Sequence, residues 1–474
     1  MMLRLYAYVF LVGIALAALT ACESGPLPPA LATETPLPTP TPLPTATPTP
    51  EPTPVPLGTG PLGASGARLV DALGREVRLT GVNWSGMETS AFAPNGLASR
   101  PADEMLDQIV SAGFNTIRLP YSNQLFDAAS RPNGIDFQKN RELVGLSGTQ
   151  VMDWIVEGAR RRGLKIILDR HRPSPYAQSD LWYTDAVSEE RWIRDWVKLA
   201  QHYRGNSAVI GADLHNEPHG AATWGDGNPR TDWRLAAERA GNAILEVNPD
   251  WLIIVEGVER TEHGAYWWGG NLSSAGLAPV RLIRPERLIY SAHDYGPSVS
   301  WQQWFAPPAF PANLESIWRS NWAYLQDEAI APVLIGEFGG RSIGPDTEGV
   351  WQRALIGFIQ DRGFSYAYWV WNFDGWTGGL LQDDQRTLNQ AKLGLLSRTQ
   401  WPLLGEPDGA VLRRPAVPAP LGLRPEGPPG LAVSQRSDAP EGECESCPKN
   451  GQSVLTSSMS CPTDSKRLAE RNAC

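Results

Sequence analysis

Short apolar runs alternate with amphipathic segments between residues 67 and 404. Apolar runs that end at turn or polar residues are typical of parallel strands covered on both faces. They predict strands at Arg78–Asn83, Asn115–Leu119, Lys165–Asp169, Val209–His215, Leu252–Glu256, Arg287–Ala292, Val333–Glu337 and Tyr366–Trp371. Apolar positions at helical spacing predict helices at Ala102–Ala112, Val151–Arg162, Glu190–Tyr203, Trp233–Val247 and Thr347–Arg362. Eight strands alternating with helices predict an α/β fold, a (β/α)8 TIM barrel.

Two motifs, VIGADLHNEPH and VLIGEFGG, each place a glutamate at or just after the end of a predicted strand. The run VIGADLHNEPH must stop near Pro218, which cannot donate to a strand ladder, and this places Glu217 at the strand end. The run VLIGEFGG places Glu337 at another strand end, among glycines that allow close approach of a ligand. A helix N-cap or a surface glutamate in a loop is the alternative interpretation of Asn216-Glu217-Pro218 taken alone. As a pair, the two glutamates suit glycoside hydrolysis, in which one carboxyl protonates the leaving oxygen and the other attacks the sugar or activates water.

Polar or aromatic side chains also follow nearly every other predicted strand. Barrel enzymes carry their catalytic residues at these carboxyl ends, and burying so many polar groups for packing alone would leave them without partners. The residues are Asn83, Trp84, Arg118, Asp169, Arg170, His171, Asn216, Glu256, His293, Asp294, Tyr295, Trp371 and Asn372. The sequence therefore predicts an active site at this end of the barrel.

The segments GVNW, NTIRLPYS, ILDRHRP, DLHNEPH, YSAHDY, GEFG and YWVWN, in this order, resemble family 5 glycoside hydrolases. The resemblance is greatest to the secreted bacterial endo-β-1,4-glucanase branch and extends from about Gly66 to Leu396. It implies a retaining mechanism in which Glu217 is the general acid/base and Glu337 the nucleophile. It also implies a set of residues around the sugar being cleaved, with neither metal nor other cofactor: Arg118, His171, Asn216, His293, Tyr295 and Trp371.

Elementary chemistry adds expectations for these residues. As an acid, Glu217 needs a pKa raised by burial and by the charge of Glu337, whereas a cation such as Arg118 would keep Glu337 ionised. The carboxamide of Asn216 suits the sugar 2-OH. His293 and Tyr295 are expected to orient the nucleophile, and His171 to bind a hydroxyl.

Tryptophan is abundant, with 19 residues, and indoles stack on the C–H faces of sugars. The candidate platforms are Trp84, Trp224, Trp268, Trp371 and Trp376. We expect Trp371 to face the ring being cleaved and Trp268 to serve a more distant subsite. The net charge of −10 disfavours nucleic acid as a partner and suits a neutral polysaccharide.

The N-terminal sequence indicates export. Residues 1–22 have the form of a secretion signal ending in Leu19-Thr20-Ala21-Cys22, which resembles a bacterial lipobox with Cys22 as the lipidated residue. An ordinary signal peptide beside a free cysteine is the alternative. Residues 23–65 are rich in Pro and Thr and predict an extended linker. These features predict an extracellular or cell-surface lipoprotein, which meets the membrane only through its lipid, and we expect a monomer.

The C-terminal residues 405–474 form a second predicted linker and tail after a barrel domain assigned to 66–404. The tail contains Cys444, Cys447, Cys461 and Cys474. Two disulfides or an unfolded tail fit an exported chain better than a zinc ribbon does. The barrel itself lacks cysteines, including those that form loop disulfides in similar enzymes.

Two other functions remain open from the sequence. A β-mannanase or xyloglucanase would share the fold, and loop residues that contact the 2-OH and 6-OH decide between these substrates. A carbohydrate-binding lipoprotein without catalysis is the other possibility. It would not need two carboxylates beside the scissile bond.

Overall fold

The computed structural model describes residues 56–407, and eight parallel strands among them form a closed barrel. The strands are β1 (Thr80–Asn83), β2 (Thr116–Ser122), β3 (Lys165–Arg172), β4 (Val209–Asp213), β5 (Leu252–Glu256), β6 (Leu288–His293), β7 (Val333–Glu337) and β8 (Ser365–Tyr368). They pair in chain order, and β8 closes the barrel against β1. The predicted TIM barrel is confirmed. The signal peptide with Cys22 and the four tail cysteines lie outside the described residues.

Helices pack around the barrel. They are α1 (Ala102–Ser111), α2 (Gly148–Arg160), α3 (Glu189–His202), α4 (Trp233–Val247), α5 (Leu314–Trp318), α6 (Tyr324–Asp327), α7 (Thr347–Arg362) and α8 (Gln390–Leu396). A π-helical turn at Arg319–Ala323 joins α5 to α6. Helices α1 to α4 and α7 were predicted from the helical spacing of their apolar residues. Helices α5, α6 and α8 were not, because they have too few turns to produce a clear periodic pattern.

Strand ends differ from the sequence-based bounds by a few residues. Strand β3 continues to Arg172, whereas β8 ends at Tyr368, three residues before the predicted end. Beyond Tyr368 the backbone leaves the β7–β8 ladder, and the N–H of Trp371 donates to the carbonyl of Asn83 at 2.8 Å. Because β8 ends at Tyr368, it is Trp369 and not Trp371 that lines the active-site cleft.

The amino-terminal end of the barrel is filled with apolar side chains. Leu79, Ile210, Leu252 and Leu334 form a buried cluster there, which also includes Leu62 and Leu404 from the two ends of the described chain. Residues 56–65 were assigned to the linker, yet Leu62 is buried and Gly63–Ser65 pairs with Arg68–Val70 in a hairpin. Both ends of the domain therefore meet at the barrel end opposite the predicted site.

Between β5 and β6 the described chain contains no α-helix. It forms a long loop that contains the two-stranded ribbon Arg260–Thr261 and Gly264–Ala265. The loop after β4 is held by a buried carboxylate, since Asp232 accepts hydrogen bonds from Gly225 N at 3.0 Å and Gly227 N at 2.9 Å. Among residues 56–407, no helix is both long and apolar enough to cross a bilayer.

Candidate active site

The guanidinium of Arg118 is the centre of the polar network at the carboxyl ends of the strands. It is fully buried and contacts four carboxylates: Asp213 at 2.8 Å, Glu256 at 3.0 Å, Asp169 at 3.1 Å and Glu337 at 2.6 Å. Asp169, Asp213 and Glu256 lie close enough together to share a cation, and the guanidinium lies among them. Its planar, fixed donors hold these oxygens from four strands in one arrangement.

Glu337, at the end of β7, has both carboxylate oxygens bonded. Oε1 accepts from Arg118 Nη1 at 2.6 Å, and Oε2 accepts from the hydroxyl of Tyr295 at 2.8 Å. Burial and the charge of Glu337 hold the pKa of Tyr295 well above its ordinary value, so the hydroxyl keeps its proton and donates. The carboxylate is thus fixed by two donors, one on β2 and one in the segment that follows β6.

Glu217 lies beyond the end of β4 and faces the cleft with 14% of its side chain exposed. Its Oε1 lies 3.0 Å from Nδ1 of His293, and its Oε2 accepts from Gln178 at 3.3 Å. An oxygen of Glu217 lies within 4.8 Å of an oxygen of Glu337. The two carboxyl groups therefore face each other across a short gap.

Two further side chains present atoms suited to sugar hydroxyls. Asn216 Oδ1 accepts from Arg118 at 2.9 Å, whereas its buried Nδ2 has no partner among residues 56–407 and can donate. His171 Nδ1 donates to Asp169 Oδ2 at 2.7 Å. Burial keeps the pKa of His171 well below its ordinary value, so the ring is neutral and Nε2 can accept a hydrogen bond.

Some of these residues line a cleft of about 570 Å³. His171, Glu217, Tyr295 and Glu337 form its base, and the walls contain Tyr266, Trp267, Trp268, Trp369 and Trp376. Paired carboxyls below aromatic walls are the features that a polysaccharide hydrolase requires.

Comparison with known proteins decides the family. Residues 70–375 match the family model described as cellulase, glycosyl hydrolase family 5. An endoglucanase of Paenibacillus polymyxa is 54% identical over 344 residues, which cover 72% of this chain and 87% of the relative. The chain belongs to glycoside hydrolase family 5. The major extracellular endoglucanase of Xanthomonas campestris is 39% identical over 71% of this chain and 70% of its own.

Solved family 5 structures agree with the fold. A hyperthermostable endocellulase, the subject of work on the contribution of a disulfide bond to thermostability, superimposes with a TM-score of 0.69 at 40% identity. The match covers 72% of this chain and 98% of that one. The resemblance predicted from the seven motifs is thereby confirmed.

The structure brings Glu217, Glu337, Arg118, His171, Asn216, His293 and Tyr295 together, but it divides the tryptophan candidates. Trp268 and Trp376 line the cleft. Trp84, Trp224 and Trp371 do not, and the prediction that Trp84 and Trp371 contact the sugar is wrong, since both are fully buried. Asn83 points to the barrel axis and accepts from Arg118, so the next residue, Trp84, turns away and bonds Asn95 O.

Trp369 occupies the position that was predicted for Trp371. It follows the last residue of β8, lines the cleft, and stacks on His171 with ring centres 5.4 Å apart and an interplanar angle of 13°. Trp371 instead packs edge-on against Phe114 in the core. The motif YWVWN contains both tryptophans, and the residue at which β8 ends determines which of the two side chains lines the cleft.

Replacing each of these tryptophans should have a different effect. Trp369→Ala should lower kcat/KM on cellotetraose by roughly 30-fold to 160-fold, because a stacked indole contributes about 2 to 3 kcal/mol by area. Trp371→Ala should mainly lower the free energy of unfolding, by about 3 to 5 kcal/mol, because it leaves a cavity. Steady-state kinetics and denaturant unfolding of both variants test this, and the opposite assignment of effects would contradict it.

The pKa of Glu217 departs from the sequence-based expectation. Burial raises the pKa of this carboxyl, but the hydrogen bond and charge of His293 outweigh burial and leave the pKa below its ordinary value. Burial raises the pKa of Glu337 against the opposing charges of His293 and Arg118. The prediction considered the Glu217–Glu337 pair alone, whereas the nearest ionisable neighbour of Glu217 is His293. Burial lowers the pKa of His293, but Glu256 and Glu337 outweigh it and raise the pKa well above normal.

Acidic residues around Arg118 should make the enzyme less stable at high pH. Burial raises the pKa of Asp169 and Asp213 from 3.8 to about 6, and that of Glu256 from 4.5 to about 8, despite Arg118. A raised pKa in the folded state stabilises the protein below the unfolded pKa, and this stabilisation is lost as pH rises through the folded pKa. We therefore expect these three carboxyls to lower the Tm between pH 5 and pH 8, against the opposite effect of the buried His171 and His215, whose pKa values lie well below normal.

Thermal unfolding at both pH values measures this effect. Asp213→Asn removes one of the titrating groups, so its Tm should fall less than that of the native chain over the same interval. A Tm that falls as much in Asp213→Asn as in the native chain would show that Asp213 does not resist ionisation.

Several residues of the site were not predicted from the sequence. Asp213 lies within an apolar run. A charge buried in such a strand requires a partner of opposite charge, so its position in the sequence could have indicated that it belongs to the site. Gln178 and Tyr266 lie in loops whose sequences carry no periodic pattern. Only the folded loops show that these two side chains reach the cleft.

Proposed function

We propose that this chain is a retaining endo-β-1,4-glucanase that hydrolyses cellulose or related β-glucans. The observation that carries the mechanism is the separation of under 4.8 Å between oxygens of Glu217 and Glu337. Retaining glycosidases hold their carboxyl groups about 5 to 5.5 Å apart, whereas inverting enzymes leave about 6.5 to 9.5 Å for a water molecule. The short gap fits direct attack by a carboxylate on the sugar.

Glu337 acts as the nucleophile in this proposal. Its carboxylate attacks the anomeric carbon and forms a covalent glycosyl-enzyme, while Glu217 gives a proton to the leaving oxygen. Glu217 then takes a proton from the water that releases the sugar. Arg118 and Tyr295 hold Glu337 during attack, because their donors fix both of its oxygens.

His293 supplies a source for the proton that Glu217 must donate. Its imidazolium Nδ1 lies 3.0 Å from Glu217 Oε1, close enough for direct proton transfer. When the proton moves, Glu217 becomes a neutral acid and His293 a neutral imidazole. In the protein without substrate the pKa of His293 is raised and that of Glu217 is lowered, so this transfer requires substrate binding to raise the pKa of Glu217 relative to that of His293.

Asn216 and His171 bind hydroxyls of the sugar being cleaved. The free Nδ2 of Asn216 suits the 2-OH, a contact that strengthens as positive charge develops on the ring. His171 Nε2 accepts from a second hydroxyl, and Trp369 lies against the His171 ring. These contacts recognise one sugar ring beside the nucleophile.

The preference for β-1,4-glucan rests on the endoglucanases among its relatives, and on an endocellulase of Pyrococcus horikoshii solved in complex with cellotetraose that is 40% identical. Reducing-sugar release from carboxymethylcellulose, mannan and xyloglucan, measured side by side, tests it. We expect the highest rate on carboxymethylcellulose. A higher rate on mannan or xyloglucan would replace the glucanase assignment with the corresponding hydrolase.

We also propose that the enzyme is exported, monomeric and anchored to the membrane through lipid on Cys22. The lipobox-like run Leu19-Thr20-Ala21-Cys22 supports this proposal, and within the described chain Gly58 packs on Leu404 at the end of the barrel opposite the cleft. Fractionation of cells expressing the native chain and Cys22→Ala tests the anchor. The native enzyme should sediment with membranes and the variant should be soluble and active; native enzyme found only in the culture medium would contradict the anchor.

A further inference from the structure

The backbone of Glu217 is held in an unusual conformation. Its φ of 52° lies in the left-handed region, which residues with a side chain seldom adopt. Two hydrogen bonds hold the backbone of Glu217 in this conformation. Its N–H donates to Glu256 Oε2 at 2.7 Å, and its carbonyl accepts from His219 Nδ1 at 2.6 Å. His219 therefore helps to set the direction in which the Glu217 side chain points.

The same His219 ring lies flat against a wall of the cleft. Its centre is 3.7 Å from that of Trp268, and the two ring planes differ by 7°. Its Nε2 lies 3.1 Å from Asp180 Oδ1, so both edges of the ring are held. His219 is largely buried, whereas Trp268 remains 45% exposed and lines the cleft.

The position of the Trp268 loop identifies the side of the scissile bond that it serves. A Cβ atom built on Gly269 would lie 3.1 Å from the Cα of Glu217, so the loop touches the general acid/base directly. The acid protonates the leaving group, and Trp268 therefore lies on the leaving-group side. Trp369 stacks on His171, whose Nδ1 lies 3.9 Å from Glu337, and it serves the opposite side.

We propose that His219 is a positioning residue that links the acid/base Glu217 to a leaving-group subsite formed by Trp268. Nδ1 of His219 donates to the Glu217 carbonyl, and the face of the same ring stacks on the indole of Trp268. A sugar bound to Trp268 is therefore held at a fixed position relative to the Glu217 carboxyl that donates the proton. This inference rests on the proposed β-glucanase function. It adds to that function a residue, His219, whose hydrogen bond to Glu217 and stacking on Trp268 can be removed separately.

Two variants separate the contacts. His219→Phe keeps a ring against Trp268 but removes the bond to the Glu217 carbonyl. His219→Asn keeps an amide N–H near the position of Nδ1 but removes the stacked ring. His202→Asn is the matched control, since His202 also pairs with a carboxylate, Asp153 at 2.7 Å, but lies on the exposed side of α3.

The substrates are cellohexaose, cellotetraose and dinitrophenyl β-cellobioside, whose leaving group departs without a proton. For His219→Phe we expect kcat/KM on cellohexaose to fall about tenfold, as expected for the loss of one positioning hydrogen bond, and to stay within about twofold on the dinitrophenyl substrate. For His219→Asn we expect the KM for cellohexaose to rise about fivefold with little change in kcat, and the KM for cellotetraose to rise less.

Three other outcomes would contradict the inference. If His219→Phe loses the same factor on both substrates, His219 only stabilises the fold. If both variants behave like His202→Asn on cellohexaose while the native enzyme cleaves it, the link to Trp268 is wrong and the proposed function stands. If the native enzyme does not cleave cellohexaose, the proposed function fails and this inference fails with it.

Discussion

Glu337→Gln is expected to lower kcat on carboxymethylcellulose by about a thousandfold or more while leaving oligosaccharide binding measurable. The amide has nearly the same shape and still accepts from Tyr295, but it cannot form the glycosyl-enzyme because it carries no negative charge. Initial rates together with cellotetraose binding by calorimetry measure the two effects separately.

Glu157→Gln provides a matched control on the exposed surface of α2, where Glu157 pairs with Arg160 of the same helix at 2.8 Å. This variant should retain native kinetics. More than about a tenth of native activity in a homogeneous preparation of Glu337→Gln would remove Glu337 from the role of nucleophile.

Arg118→Lys is expected to lower kcat at least about a hundredfold and to lower the free energy of unfolding by about 3 kcal/mol. Arg118 donates to Asn83, Asn216 and three carboxylates, and it lies 3.1 Å from a fourth carboxylate, Asp169. An ammonium has three donors on a flexible stem, so it leaves buried oxygens without partners. Denaturant unfolding and kinetics at one pH measure both losses.

Arg162→Lys is the control for this substitution. Arg162 is also buried and bonds two carboxylates, Asp107 at 2.7 Å and Asp103 at 2.8 Å, but these lie on α1. Its replacement should reduce stability and leave kcat unchanged. Native kcat in Arg118→Lys would show that the guanidinium geometry is not needed to hold Glu337.

The sequence was sufficient for the barrel and for the pair of glutamates. Parallel strands buried on both faces give apolar runs that are visible without a structure, and a glutamate directly after such a run has little freedom to lie elsewhere. This is why Glu217 and Glu337 could be placed at one end of the barrel. The bounds of α4 and α7 agree with the predicted ranges Trp233–Val247 and Thr347–Arg362.

The choice between Trp369 and Trp371 could not be made in the same way. Two residues separate them, and the sequence alone does not show that β8 ends at Tyr368 rather than Trp371. The pKa of Glu217 was unpredictable for a different reason. It depends on a 3.0 Å contact with His293, which lies 76 residues away in the chain and two strands away in the barrel.

The central claim is that Glu337 becomes covalently bound to the sugar. Incubation with a dinitrophenyl 2-deoxy-2-fluoro-β-cellobioside tests it directly, since the fluorine slows both steps while the activated leaving group still allows the first. Digestion and mass spectrometry then locate the added disaccharide. We predict one adduct per chain, on the peptide that contains Glu337. An adduct on Glu217, or an inverted first product with no adduct on either residue, would contradict the account.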